Sequence, residues 1–192
     1  MSMGEETGLR ARLVAAGAEL VRSEGPQILS LREIARRAGV SHGAPRRYFP
    51  THRDLLTAIA LEGYRSLATR VDQLAGGGHQ ADPRVQLLAL ARLYLDFAQT
   101  ERGMFELMFR HELLRGNRSG LRAVSEPLFA VLVDLAGRAR PGIGDAAVVA
   151  GALWANLHGI AQLSLWGSLQ TAVGTDDVDL LVRTAVDAYM ES

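Results

Sequence analysis

Apolar residues recur at three- and four-residue intervals along nearly the whole chain, the spacing that places them on one face of a helix, and no stretch alternates convincingly as a strand would. The first helix is expected over about Thr7 to Ser23, with Leu9, Leu13, Ala16, Leu20 and Val21 on one side. Gly25-Pro26 ends it, because glycine caps a C-terminus and proline cannot continue the helix. A short second helix is expected from Ser30, where Ser30 and Glu33 have the spacing of a capping box and Leu31, Ile34, Ala35 and Ala38 form the buried face. Gly39 suits a left-handed stop, Val40 can plug the turn, and Ser41 can cap a third helix over His42 to about Tyr48. A fourth helix, about Thr51 to Leu74, presents Leu55, Leu56, Ile59, Leu67 and Val71 and closes on the linker-like Gly76-Gly77-Gly78.

Five more helices are expected at about Pro83 to Gln99, Gly103 to Leu114, Gly120 to Arg138, Asp145 to Leu169 and Thr175 to Glu191, with a break at Pro141-Gly142. The last carries a clean stripe of Val178, Leu181, Val182, Ala185, Val186 and Tyr189. The fold class that follows is all-α. A three-helix N-terminal head in residues 1–56, with its motif at about 30–49, precedes a helical body in residues 57–192.

Composition narrows this picture. With 48% hydrophobic residues the 192-residue chain can bury a sizeable core, and the absence of Cys fits a reducing cytoplasm and excludes thiol catalysis and zinc–thiolate sites. No apolar segment near Met1 suggests a secretory signal. The stretch Ala146 to Thr175 is free of charge, but Asn156, His158, Gln162, Ser164, Ser168 and Gln170 are spread along it, so burial between subunits explains it better than a membrane. Net charge is zero, yet Arg32, Arg36, Arg37, Arg46, Arg47 and Arg53 gather between Ile28 and Arg53 against the single acid Glu33. A local cationic cluster on a balanced protein is the footprint of an end that meets nucleic acid.

Two short helices joined by Gly39-Val40-Ser41, behind a longer one, match a tri-helical DNA-binding head. Small Ala35 and Ala38 let the helices cross closely, and the second short helix is left free to enter a major groove about 12 Å wide. Its first amides and the Ser41 hydroxyl suit phosphate. The run from Leu31 to Leu56, LREIARRAGVSHGAPRRYFPTHRDLL, resembles the head of the tetracycline-repressor (TetR/AcrR) family. The likeness rests on Leu31, Ile34, Ala35, Ala38, Gly39, Val40, Ser41, Gly43, Tyr48, Phe49, Leu55 and Leu56. It implies DNA contacts from Arg32, Ser41, His42, Gly43, Ala44, Arg46, Arg47, Tyr48 and His52. Three departures stand out: Arg46 replaces a usual aromatic, His52 replaces a usual lysine beside Arg53, and Pro45 threatens the carbonyl of Ser41 one turn into the recognition helix.

Further on, Trp154-Ala155-Asn156-Leu157-His158-Gly159, with Ala161 and Leu163, is similar to the W…HG signature of one subgroup of the family's effector domains, as is Met104 to Phe109. The resemblance implies a homodimer built through the last two helices and an internal pocket for a small molecule. Phe97, Met104, Phe105, Met108, Phe109, Trp154, His158 and Trp166 are the candidates to line it, each equally able to be plain core. His111 and Glu112 are neighbours that point apart, so no metal site is expected, and no cofactor is implied. Nucleophile elbows, phosphate loops and H-E-x-x-H are lacking, so the chain does not read as an enzyme. The expectation is a cytoplasmic, nucleoid-associated repressor whose partners are double-stranded DNA, a second copy and a small effector. The rival is a helical dimeric ligand- or protein-binding module that has lost DNA binding, for which Pro45 and His52 would speak.

Overall fold

In the computed structural model, residues 3–76, 82–110, 114, 118–142, 144–174 and 177–191 are described. They form ten α-helices and no strand among the described residues: α1 Met3–Glu24, α2 Leu31–Arg37, α3 Ala44–Tyr48, α4 His52–Gly76, α5 Pro83–Thr100, α6 Arg102–Phe109, α7 Arg118–Ala139, α8 Ala146–Leu165, α9 Ser168–Val173 and α10 Val178–Met190. A 3₁₀ turn at Pro26–Ile28 separates α1 from α2. The expected all-α architecture is therefore the observed one. Gly77, Gly78, His111 and Glu112 lie outside the described residues.

The chain packs as two units, divided within α4 between Ser66 and Leu67 and again around α6. The first unit holds residues 1–66 and 101–124. Its core is Leu13, Leu20, Val21, Ile34, Phe49, Leu55, Ile59, Met104, Phe105, Leu107 and Met108, all essentially inaccessible. α1 is the common wall against which α2, α3 and α6 pack. Two glycines permit that closeness. A Cβ on Gly17 would lie 2.4 Å from Ile59 Cδ1, and one on Gly103 would lie 2.2 Å from the carbonyl oxygen of Val21. α6 therefore rests on the backbone of α1 with no side chain between them.

In the second unit α5, α8 and α10 pack on one another. Leu87, Ala91 and Leu95, Ala150, Leu153 and Leu157, and Val182, Ala185 and Val186 are the buried faces of the three helices. Carboxylates start two of them. Asp145 accepts from the amides of Ala147 and Val148 at α8, and Asp177 from that of Leu180 at α10. Arginines on α5 then cross to α10: Arg84 lies 2.7 Å from Asp187 and 3.0 Å from Glu191, and Arg92 lies 2.5 Å from Asp179. α8 is long and apolar enough to cross a membrane, yet Ala150, Leu153, Leu157, Ile160 and Ala161 pack inside this unit.

Several boundaries differ from the periodicity. The third helix begins at Ala44 with Gly43 as its cap, not at His42 with Ser41. Pro45 has no N–H to give to the Ser41 carbonyl, so regular helix can start only where that missing donor is not needed. The helix expected to reach Leu169 stops at Leu165, because Gly167 adopts φ 71°, and α9 follows as a separate piece. α6 ends at Phe109, and Leu114, expected within it, is buried but not helical.

Candidate nucleic-acid interface

Ser30 caps α2 as its sequence foretells, its hydroxyl accepting from the Glu33 amide at 3.2 Å. Glu33 does not serve simply as the other half of a capping box. Its carboxylate accepts from Arg36 Nε at 2.8 Å and from Arg37 Nε at 3.1 Å, and these bonds hold its pKa down at about 2. Arg37 also pairs with Glu24 of α1. Two of the six clustered arginines are thus tied to acids, and Arg37 fastens α2 to α1.

After Ala38 the chain turns on Gly39, at φ 67°. That left-handed conformation costs an L side chain strain that glycine escapes. The Val40 amide donates to the carbonyl of Ala35 at 3.0 Å and the Ala44 amide to that of Ser41 at 3.0 Å, closing the turn into α3. Pro45 is buried in the first turn of α3, and Phe49, 1% exposed, anchors its end. Arg46 and Arg47 are left exposed between these two anchors, with Ser41, His42 and Gly43 exposed ahead of them and Ala44 and Tyr48 half-buried.

Past α3, Thr51 and Asp54 cap each other. The Thr51 amide donates to Asp54 Oδ2 at 2.9 Å and the Asp54 amide to Thr51 Oγ1 at 3.1 Å. This fixes the start of α4, where His52 and Arg53 are exposed. All nine side chains or backbone positions expected to meet DNA lie between α2 and the start of α4, and none is fully buried. Arg32, Arg46, Arg47 and Arg53 form no ion pair with a carboxylate among the described residues. The signal for this box is the T-x-x-D spacing of Thr51 and Asp54 in the sequence itself.

The eight aromatic and methionine candidates fall into separate groups. On α6, Met104, Phe105 and Met108 are fully buried, and Phe105 and Phe109 meet edge to face at 4.9 Å. Tyr64 of α4 donates its hydroxyl to the carbonyl of Met108 at 3.1 Å, and burial pushes its pKa up to about 12, so it remains a neutral donor. Gly63 is bare beneath Met104 and Met108, whose nearest side-chain atoms would be 2.6 Å from a Cβ there.

In the second unit, Phe97 is buried under the guanidinium of Arg70, 5.2 Å from its ring centre. Trp154 and His158 are 6.0 Å apart, Phe129 meets Trp154 at 6.5 Å, and the Tyr94 hydroxyl is 2.8 Å from His158 Nδ1. Burial lowers the pKa of His158, which favours the neutral ring. Tyr94 and Phe129 carry no motif, so sequence reasoning missed them. Trp154 is itself 39% exposed, and Trp166, just past the end of α8, is 68% exposed. Among the described residues no cluster of three or more His, Asp or Glu could hold a metal ion.

With this geometry in view, the comparisons with known proteins are direct. The profile of the bacterial regulatory proteins, tetR family, matches residues 13–59, and that of the tetracyclin repressor-like C-terminal domain matches residues 87–189, more than half the chain. The chain belongs to the TetR family. Similar solved structures agree. A protein with unknown function from Rhodococcus sp. RHA1 is 31% identical, over 95% of this chain and 93% of that one, with a TM-score of 0.78. A TetR-family transcriptional regulator from Streptomyces coelicolor is 25% identical over 94% and 96%, with a TM-score of 0.66. RolR, solved with resorcinol, is 19% identical over 97% and 90%, with a TM-score of 0.70, and shares the fold. A search of curated proteins finds no match. TetR-family proteins are DNA-binding regulators with a ligand-binding helical domain, not enzymes.

Proposed function

We propose that this TetR-family regulator is a repressor that grips a near-palindromic operator as a homodimer and releases it when a small apolar or amphipathic molecule enters the helical body. The observation that carries the reading is the exposed, acid-free set of Arg32, Arg46, Arg47 and Arg53 around a braced helix-turn-helix. DNA contact falls to residues 1–56 through Arg32, Ser41, His42, Gly43, Ala44, Arg46, Arg47, Tyr48 and His52, and sensing and dimerisation fall to residues 57–192. Phosphate contacts by arginine supply most of the affinity, so binding weakens steeply with salt. Two heads then occupy successive major grooves about 34 Å apart.

Dimerisation is supported by the faces that one copy leaves open. Val148, Ala152, Ala155 and Leu163 are exposed at helical spacing along α8, with Trp166 just past its end, and Leu180, Thr184 and Ala188 along α10. A stripe with no charge, on a protein rich in arginine, suits a second copy better than water. For the effector, Trp154, His158, Tyr94 and Phe129 offer an aromatic wall with one polar pair, and Phe97 is the further candidate on α5. Within the first unit, the Glu101 end of α6 pairs with Arg22 of α1 at 2.9 Å, and Gln27 bonds Glu106 at 3.4 Å. A ligand that fits only one conformation of the helical body shifts the population of heads able to bind, by its difference in affinity between the two states. The protein works in the cytoplasm.

The rival module without DNA binding drew on Pro45 and His52. Pro45 fits the first turn of α3, and His52 stands beside the exposed Arg53. A mobility-shift assay on the DNA upstream of the chain's own coding region, repeated from low to high salt, tests the reading. A complex that weakens steeply with salt is expected; the lack of any salt-sensitive complex would leave the rival standing.

A further inference from the structure

α3 presents the DNA-facing side chains but spans only Ala44–Tyr48. An isolated helix needs about 12–15 residues before it is even marginally stable in water, so the orientation of α3 must come from its neighbours. Two arginines of α1 reach the two ends of the segment that contains it. Arg12 Nη2 donates to the carbonyl of Ala38 at 2.8 Å, at the last turn of α2 and just ahead of Gly39. Arg10 lies over Phe49, the residue that ends α3, with its guanidinium carbon 5.1 Å from the ring centre. Each site attracts a cation for its own reason. The carbonyl end of a helix carries partial negative charge, and the face of an aromatic ring does so through its quadrupole.

We infer that Arg10 and Arg12 are positioning residues for DNA recognition: from α1 they hold Ala38 and Phe49, and so fix the angle at which α3 leaves the head, without themselves touching phosphate. This rests on the DNA-binding reading above. Both side chains are exposed, so the competing role is direct phosphate contact, and the two roles separate cleanly by experiment. A phosphate ligand carries a counterion-release term, and its loss lowers the slope of log K against log salt by about 0.9. A brace carries none.

The test uses full-length protein with Arg10→Ala, Arg12→Ala and the double substitution, alongside Arg12→Lys. Operator affinity of the double variant should fall about tenfold, as expected for losing a charge-assisted hydrogen bond, with an unchanged salt slope. Arg12→Lys should recover part of the loss, since an ammonium also serves the carbonyl. In the free protein, hydrogen exchange should quicken several-fold at the amides of Val40 and Phe49, which bond to Ala35 and Pro45, and not in α8. A flatter slope, or unchanged affinity with unchanged exchange, overturns the brace. If the unmodified protein retains no DNA at all, the functional reading itself fails, and the exchange measurement still decides whether the two contacts hold α3.

Discussion

Arg46 and Arg47 on α3, and Leu163 on α8 with Trp166 at its cap, are all exposed, yet they leave the two units with opposite surfaces. In the first unit the acids Glu24 and Glu33 are engaged by Arg36 and Arg37, while Arg32, Arg46, Arg47 and Arg53 face solvent with no ion pair to a carboxylate among the described residues. In the second, Arg84 and Arg92 are matched by Asp187, Glu191 and Asp179, and the large apolar Leu163 and Trp166 stay exposed. A net charge of zero hides this segregation. On the proposed reading the first surface suits a polyanion and the second a copy of the chain, and overall composition reveals neither.

The sharpest way to break the contrast is to put charge on the apolar stripe. Leu163→Glu with Trp166→Glu should yield monomers by analytical ultracentrifugation and lower operator affinity by about 10²–10⁴, because the second head is no longer delivered with the first. Persistence of the dimer would assign that face to some other contact. Next in size, Arg46→Ala with Arg47→Ala should weaken operator binding about 100-fold and flatten the salt slope by about 2 while the dimer survives. An unaltered slope would mean that another surface meets the phosphates.

Within the first unit, Gly103→Val should cost about 1–3 kcal/mol in thermal unfolding, since the added atoms meet the Val21 backbone, which cannot rotate away. Gly8→Ala on the same α1 has open space and should instead stabilise by about 0.5–1 kcal/mol. Equal effects at both positions would refute the close crossing of α1 and α6. Ser30→Ala removes the α2 cap and should cost about 1 kcal/mol by the same measurement.

The smallest effect concerns pH in the second unit. Because burial lowers the pKa of His158 below 6.5, the unfolded chain takes up that proton first as pH falls. Its stabilising contribution is complete above about 6.5 and is lost as pH falls through the folded-state value. His158→Gln should flatten the dependence of the melting temperature on pH below about 6.5. An identical profile in both proteins would remove the buried neutral ring from the account.

The head was largely legible from sequence because its signals are local: a cap at Ser30, a left-handed stop at Gly39, an aromatic anchor at Phe49. Where local signals competed, the reading slipped. Glu33 has the capping-box spacing, but two arginines one turn on claim its carboxylate. Pro45 would break a helix already under way, but α3 begins around it. Gly167 looked like an interior glycine and is a left-handed break. The aromatic group around His158 was only half visible, since Tyr94 and Phe129 reach it from helices far away in sequence. The periodicity of one helix cannot say which distant helix it will face.

The bare seam at Gly103 has a consequence for regulation under the proposed mechanism. Side chains ordinarily act as cushions, swinging between rotamers when a neighbouring helix slides; here main chain rests on main chain, so nothing can yield. A shift of α6 would pass undamped into α1. A genetic screen for mutants that ignore the inducer should therefore yield Gly103→Ala, where a single methyl group meets the Val21 carbonyl and suffices to jam the gear.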